Sequence, residues 1–345
     1  MYEIDPLLDR RWPQFLRESP RSSVFHTRGW LEALNRTYGY RPIALTSSGP
    51  HAELCSAIVY CHVPSCVTGR RLVSLPFSDH CDPLIQSTEE LPPLLAELER
   101  RAQAERCKYI ELRPMFVTQM TQPHFQISQQ FVHHRLDLTP GLEEVFRHFH
   151  YDSIKRKVRR AEREGLVVRE GTEREAIETF YGLVVRTRRR LGLPPQPLAW
   201  YRNIVQCLCN SARIRLAYKG NLAVGGIMTL QHNKTLYYKY CASDAQFHNL
   251  GTVPYLLWGA IQDAADSGLT ELDLGRSDRA DSGLVTFKDH WGATRSELCY
   301  WRSPRDAPMP VSDAGMIGEL ARTVCSHLPN RCLIGLGALL YPHMA

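Results

Sequence analysis

One alternation dominates this sequence. From residue 173 onward the apolar period switches repeatedly between about 3.6 and 2 residues. Helices are expected over 173–191 and 200–209, then strands over 213–218, 223–231 and 235–242. A helix over 252–267, a strand over 271–274, a short helix over 283–289 and a closing strand over 296–301 follow. A chain that interleaves the two periods has to stack helices on a sheet, which excludes a helical bundle or an all-β sandwich. The first half reads the same way, with helices over 22–38 and 91–106 and strands over 42–46, 53–63, 69–75, 109–113 and 130–138. The expected class is therefore α/β, with α+β mixed sheets.

The 345 residues are enough for two domains with their own cores. The turn Thr139-Pro140-Gly141 and the Pro-rich run RSPRDAPM (302–309) mark the borders. They give an N-terminal domain over 1–140, a C-terminal domain over 141–304, and a linker with a helical tail over 305–345. The start, MYEIDPLLDRRW, has no apolar core of the kind a secretion signal carries. No run approaches the roughly 18 apolar residues that span a bilayer. A cytoplasmic location is expected, and the apolar tail CLIGLGALLY (332–341) allows peripheral contact with the inner membrane face. The eleven cysteines include no CxxC pair, which points to reduced thiols. Cys207-Leu208-Cys209 and His148-Phe149-His150 have the wrong spacing for common metal sites, so no metal and no tightly bound cofactor are expected.

Four constellations bear on chemistry. In IKRKVRRAEREG, Lys155, Arg156, Lys157, Arg159, Arg160 and Arg163 crowd one short helix, with Arg156, Arg159, Arg160 and Arg163 on one face. Such a face either binds an anion (a nucleotide diphosphate, coenzyme A phosphates, tRNA) or is simply solvated. Arg186, Arg188, Arg189 and Arg190 close the next helix, where they complement its dipole, and Arg186 is placed to join the first patch. Strict alternation in LYYKYCASD puts Tyr238 and Tyr240 on one strand face, either as core or beside a pocket. The fourth is DLGRSDRADSGLVTFKDHWGA (273–293). The strand is expected to end at Leu274 and turn at Gly275, so that Arg276, Ser277 and Asp278 sit at the carboxyl edge of the sheet. Lys288 follows on a short helix and, beside Arg276, suits an oxyanion or a phosphate. Asp273 orients Arg276, acts as a base, or forms a plain salt bridge.

These residues carry a family resemblance. The run 151–301 resembles the Fem-type peptidoglycan-bridge aminoacyltransferases and the Gcn5-related N-acetyltransferase (GNAT) superfamily, BioF2-like acetyltransferase domains included. The matching pieces are SIKRKVRRAEREGL, FYGLVVRTRRRLGLP, the GGIM strand before YYKYCAS, GTVPYLLWGAIQDAADSG, and DLGRS with GLVTFKDHWGA. The resemblance implies two tandem acetyltransferase-like domains and gives Lys288 an oxyanion or phosphate role. No pair of long heptad helices forms the arm of the staphylococcal bridge enzymes. The phosphate loop of simple acetyltransferases is reduced to HNLGTV (248–253), with Gly251 and Thr252 leading into a helix.

The expected activity is acyl or aminoacyl transfer to an amine, with acyl-CoA or aminoacyl-tRNA as donor substrate. The acceptor class is a small molecule or a cell-wall or polysaccharide precursor. Lys288, Arg276, Tyr238, Tyr240 and Asp273 are the candidate catalytic residues. Gly251, Thr252, Arg156, Arg160 and Arg186 are the candidates for the donor, and Ser277, Trp291, Asp79 and Asp82 for the acceptor. Asp79 and Asp82 come from the polar loop LPFSDHCDP (75–83), which turn chemistry explains equally well. The alternative is an inactive member of the fold that binds nucleic acid or another anionic partner through 153–164. Replacing Lys288 by alanine is expected to remove activity and leave melting unchanged.

Overall fold

The structure, a computed structural model, describes residues 1–65, 67–115, 123–307 and 318–344. Cys66 and the end of the 302–309 run lie outside the described residues. The elements are, in order, β1 (Tyr2–Ile4), α1 (Trp12–Glu18), α2 (Arg28–Tyr38), β2 (Arg41–Thr46), β3 (Ile58–Val63), β4 (Arg71–Ser74), α3 (Leu91–Ala104), β5 (Tyr109–Leu112) and β6 (Gln126–Asp137). There follow α4 (Leu142–His148), α5 (Arg156–Arg163), β7 (Val167–Gly171), α6 (Arg174–Arg190), α7 (Leu198–Leu208), β8 (Ala212–Lys219), β9 (Leu222–His232) and β10 (Thr235–Ser243). Then come α8 (Thr252–Asp266), β11 (Glu271–Asp278), α9 (Ser282–Asp289), β12 (Thr294–Ser303) and helices over Glu319–His327 and Asn330–Leu340.

The chain divides into two compact units. The first is Met1–Phe131 with Glu297–Pro310 and Leu339–Ala345; the second is Val132–Ser296 with Val311–Ala338. In the first unit β1 to β4 run antiparallel in sequence order. β5 then joins β4 in parallel, from Arg71 opposite Tyr109 to Ser74 opposite Leu112, and β12 pairs β5 antiparallel. In the second unit β7 to β10 run antiparallel. β11 joins β10 in parallel, and β6 lies beside β11. Both units therefore follow one plan: strand, two helices, three strands, helix, and a fifth strand parallel to the fourth. A parallel neighbour needs a crossover, which α3 supplies in one unit and α8 in the other. Units divided between 131 and 132 and between 296 and 297 differ from borders drawn at 140 and 304, because β6 and β12 each carry residues of both units.

Each unit has its own core. Leu45, Tyr60, Leu72, Leu98 and Ile110 center the first. Ile154, Ile227, Leu257, Ile261, Leu272 and Trp291 center the second, joining α5, α8 and α9 to one face of the sheet. On the opposite face a glycine of β9 sets the spacing. A Cβ on Gly226 meets side-chain carbons of Leu216 and Phe180 at 2.8 Å, so α6 packs on bare backbone.

Three local expectations are corrected. β11 does not stop at Leu274 but continues to Asp278. Gly275, at φ 70°, kinks the strand instead of ending it. A bulge falls between Tyr238 and Tyr240, and the extra residue breaks strict alternation. Tyr238 therefore packs into the α8 side of the sheet, while Tyr240 faces α7. Its hydroxyl accepts from Trp200 Nε1 at 2.8 Å, and its ring meets Tyr201 edge-on. The basic helix starts as a π-helical turn over Tyr151–Lys155. The sequence reading had no counterpart for β1 and α1. The ten described cysteines are free, with Cys209, Cys241 and Cys332 exposed rather than buried.

Candidate functional site

The second unit places its chemistry where two parallel strands part. The paired register of β10 and β11 ends at Tyr237 opposite Asp273, yet β10 runs on to Ser243 and β11 to Asp278. The bulge on one side and the Gly275 kink on the other turn the two strands aside. Three side chains gather at this opening. The Tyr238 hydroxyl is buried, lies beside the Cys241 thiol and makes no hydrogen bond of ordinary geometry. Burial pushes the phenol well above its usual range, so it stays protonated. Cys241 is accessible although protein crowds its thiol, as expected of a side chain lining an opening. It lies within electrostatic reach of Lys288.

Lys288 is 3% exposed. Its Nζ donates to the carbonyls of Gly275 and Arg276, each at 2.9 Å. The lysine therefore ties α9 to the kinked end of β11, and it brings a buried cation there. The expectation that its loss leaves melting unchanged is corrected on this ground.

Two histidines of β6, which sequence reasoning missed, anchor this arrangement. His133 is fully buried, and its Nε2 stands 2.9 Å from Asp273 Oδ1. A carboxylate only accepts, so Nε2 carries the proton. The same oxygen accepts the Gly275 N–H at 2.6 Å. Asp273 thus ties β6 to β11 and holds the glycine that kinks the strand. The next residue, His134, donates from Nε2 to Asp289 Oδ1 at 3.2 Å, and Arg295 clasps both Asp289 oxygens. Arg295 holds the Asp289 carboxyl below its usual range, and burial depresses His134. Asp289 follows Lys288 directly, so this pair fixes the helix that carries the cation. The adjacent His133-His134 inside a strand was the available signal, because a histidine on the buried face of a strand needs a partner.

The segment between β10 and α8 forms a second locus. Asp244 accepts from the N–H of Gln246 at 3.1 Å and from Arg186 Nη1 at 3.0 Å. Arg186, expected to contact the donor, is thereby committed to shaping the segment. Ser243 Oγ and His248 Nε2 lie 2.9 Å apart. Gly251, at φ 74°, caps α8, and a Cβ there points into the backbone carbonyl of Lys157. Thr252 opens α8, and its buried hydroxyl has no hydrogen-bond partner among the described residues. Val158 and Ala161 seat α5 in the core, which leaves Arg156, Lys157, Arg159, Arg160 and Arg163 exposed. Two of these make surface pairs, Arg156 with Asp152 at 3.2 Å and Arg160 with Glu164 at 3.9 Å, and exposed pairs of this kind are weak.

The remaining candidates separate. Arg276 and Ser277 lie on β11 beyond the kink, and the buried Ser277 Oγ has no partner among the described residues. Trp291 is fully buried against Phe149, with ring centroids 4.9 Å apart, so it is a core residue and not a substrate contact. Asp79 and Asp82 belong to the first unit. There the Asp79 carbonyl accepts from the Tyr300 hydroxyl at 2.7 Å, and the buried Asp82 carboxylate accepts the Met115 N–H at 2.9 Å.

Residues 148–288 match the acetyltransferase (GNAT) domain family. Among solved structures the chain is similar to FemX, with a TM-score of 0.67 and 17% identity over 87% of this chain and 97% of that one. It is similar to L-PGS from Bacillus licheniformis, with a TM-score of 0.58 and 14% identity over 92% and 96%. A tandem GNAT protein from the clavulanic acid biosynthesis pathway aligns with a TM-score of 0.52 and 10% identity over 85% and 93%. At these identities the likeness is one of fold. No curated protein matches the chain. The duplicated plan is thus a tandem acetyltransferase fold, and the acetyltransferase domain at 148–288 gives the chain the class of an acyltransferase.

Proposed function

Because the second half of the chain carries a GNAT acetyltransferase domain, we propose that this protein moves an activated acyl or aminoacyl group to an amine at the opening between β10 and β11. The acceptor amine attacks the carbonyl carbon of a thioester or ester. A carbon–nitrogen bond forms, the carbonyl oxygen takes the negative charge, and the bond to sulfur or oxygen then breaks to leave an amide. The nitrogen, positive once the new bond has formed, gives up a proton, and the leaving thiolate or alkoxide takes one up. Because the donor arrives activated, placement and charge stabilisation carry most of the rate. The observation that carries the reading is the buried Lys288 cation, fixed through α9 at the kinked end of β11 and within electrostatic reach of Cys241, the neighbour of Tyr238. In that setting a positive charge is weakly screened and acts on the developing oxyanion. Tyr238, kept protonated by burial, hydrogen-bonds the leaving group and relays to it the proton that the acceptor nitrogen gives up. Asp273 is a positioning residue, since its carboxylate is spent on His133 and the Gly275 N–H.

We assign the phosphates of the donor to the start of α8, where Gly251 abuts the α5 backbone at Lys157 and the buried Thr252 hydroxyl has no partner among the described residues, with the exposed α5 cations Arg156 and Arg160 as further contacts. A melting screen with acetyl-coenzyme A and aminoacyl-tRNA tests this. A donor at about 100 times its dissociation constant raises stability by about 2.7 kcal/mol. Mass spectrometry of amine acceptors, cell-wall and polysaccharide precursors among them, then detects the amide. No melting shift with either donor and no amide product would overturn the proposal. The cationic face of α5 also favours a second reading, an inactive fold member that holds a polyanion. It predicts steeply salt-dependent RNA binding without amide formation.

A further inference from the structure

The helix Asn330–Leu340 lacks the polar outer face that a surface helix needs. Its buried residues are Leu333 and Gly337. Arg331, Cys332, Gly335, Ala338 and Leu339 are exposed, and at 3.6 residues per turn they cover about one third of the circumference as a single stripe. Leu339 is 73% exposed. An outer face of Cys332, Gly335, Ala338 and Leu339 with Arg331 as its one charge has too little polarity for water alone and suits a second surface. The surroundings within the second unit decide which. Arg189 Nη1 donates to Asn330 Oδ1 at 3.0 Å at the start of the helix, which fixes the C-terminal turn of α6, with exposed Arg190 and Leu191, next to it. Arg331 adds a cation to the stripe itself. No acidic residue occurs from Leu320 to Ala345 or from Arg186 to Leu191. A stripe that contains Arg331 and has Arg189 and Arg190 beside its start matches an anionic bilayer surface.

We propose that this face of the C-terminal helix lies on an anionic membrane surface, with Leu339, Cys332 and Ala338 in the interface and Arg189, Arg190 and Arg331 against lipid phosphates. The proposal does not rest on acyl transfer, because vesicle binding reads no chemistry. The full chain is mixed with sedimentable vesicles of phosphatidylcholine, with or without phosphatidylglycerol. Binding is expected to the anionic vesicles, at least about tenfold weaker to the neutral ones, and to decline with salt. Gly335→Glu places a carboxylate in the stripe where a Cβ meets nothing within 4 Å, so melting is expected to hold while anionic-vesicle binding falls about tenfold. Replacing Arg190 and Arg331 together by alanine leaves the Arg189–Asn330 bond in place and weakens the anionic preference alone. Absence of the wild-type chain from the anionic pellet, or unchanged binding by Gly335→Glu, overturns the proposal. A doubled mass in sedimentation equilibrium that Gly335→Glu abolishes assigns the face to a second copy and overturns it as well.

Discussion

Replacing Lys288 by methionine keeps an unbranched side chain and deletes the ammonium group. Two carbonyls, those of Gly275 and Arg276, then lose their donor. A hydrogen bond to a charged group contributes about 1.5–3 kcal/mol net of the desolvation of the charge, and the ammonium, 3% exposed, makes two. The Arg276 carbonyl is only part-buried and turns to water when the ammonium goes, so the net loss is about 1–3 kcal/mol, from the buried Gly275 carbonyl. At about 2–4 °C per kcal/mol this lowers the melting temperature of the second unit by about 3–10 °C. Circular dichroism melting measures the shift, and hydrogen exchange at the Arg276 to Asp278 amides localises it to the end of β11. A Lys288→Met chain that melts with the wild type, with those amides equally protected, refutes the tether.

Three further outcomes follow from the same geometry. Tyr238→Phe removes a buried hydroxyl that has no ordinary hydrogen bond, so stability stays within about 1 kcal/mol while transfer slows by about 10²-fold; urea unfolding and rate measurements on one preparation check both halves. Gly251→Ala meets a left-handed φ and the Lys157 carbonyl at once and costs roughly 2–4 kcal/mol by urea titration, because α5 backbone has to move. Burial depresses His232 to about 4 from an ordinary 6.5, so the unfolded chain takes up the proton first. Stability is therefore complete above about pH 6.5 and falls toward pH 4, by about 2 kcal/mol from this group after allowance for its partial exposure. His232→Gln flattens that slope without abolishing it, since burial depresses His134, His248 and His290 in the same direction.

Where the period of the sequence was strong, the elements were legible. The helices at 91, 174 and 252 and the strands at 41, 109, 212, 222 and 235 begin within about two residues of their expected starts. The duplication was legible only through the family resemblance, because β1 and α1 are short and the two units share a plan but no visible run of letters. Gly275 read as a stop because glycine usually ends a strand, and only its pairing context makes it a kink. YYKYC alternates perfectly on paper, so nothing in it marks Lys239 as the bulge residue that sends Tyr238 and Tyr240 to opposite faces. Lys288 was legible as a residue of interest but not as a buried one, since lysine is rarely buried unless it is paired. The tie from His133 to Asp273 spans 140 positions of sequence and that from His134 to Asp289 spans 155, distances over which spacing carries no signal.

The central claim is that the Lys288 cation stabilises charge that develops only during transfer. The single-turnover rate of amide formation, measured beside donor affinity for the wild type and Lys288→Met below both melting temperatures, tests it most directly. The expected result is a rate lower by about 10²- to 10³-fold with donor affinity within about threefold, as for the loss of one oxyanion contact. A Lys288→Met chain that binds donor and forms amide at the wild-type rate contradicts the claim.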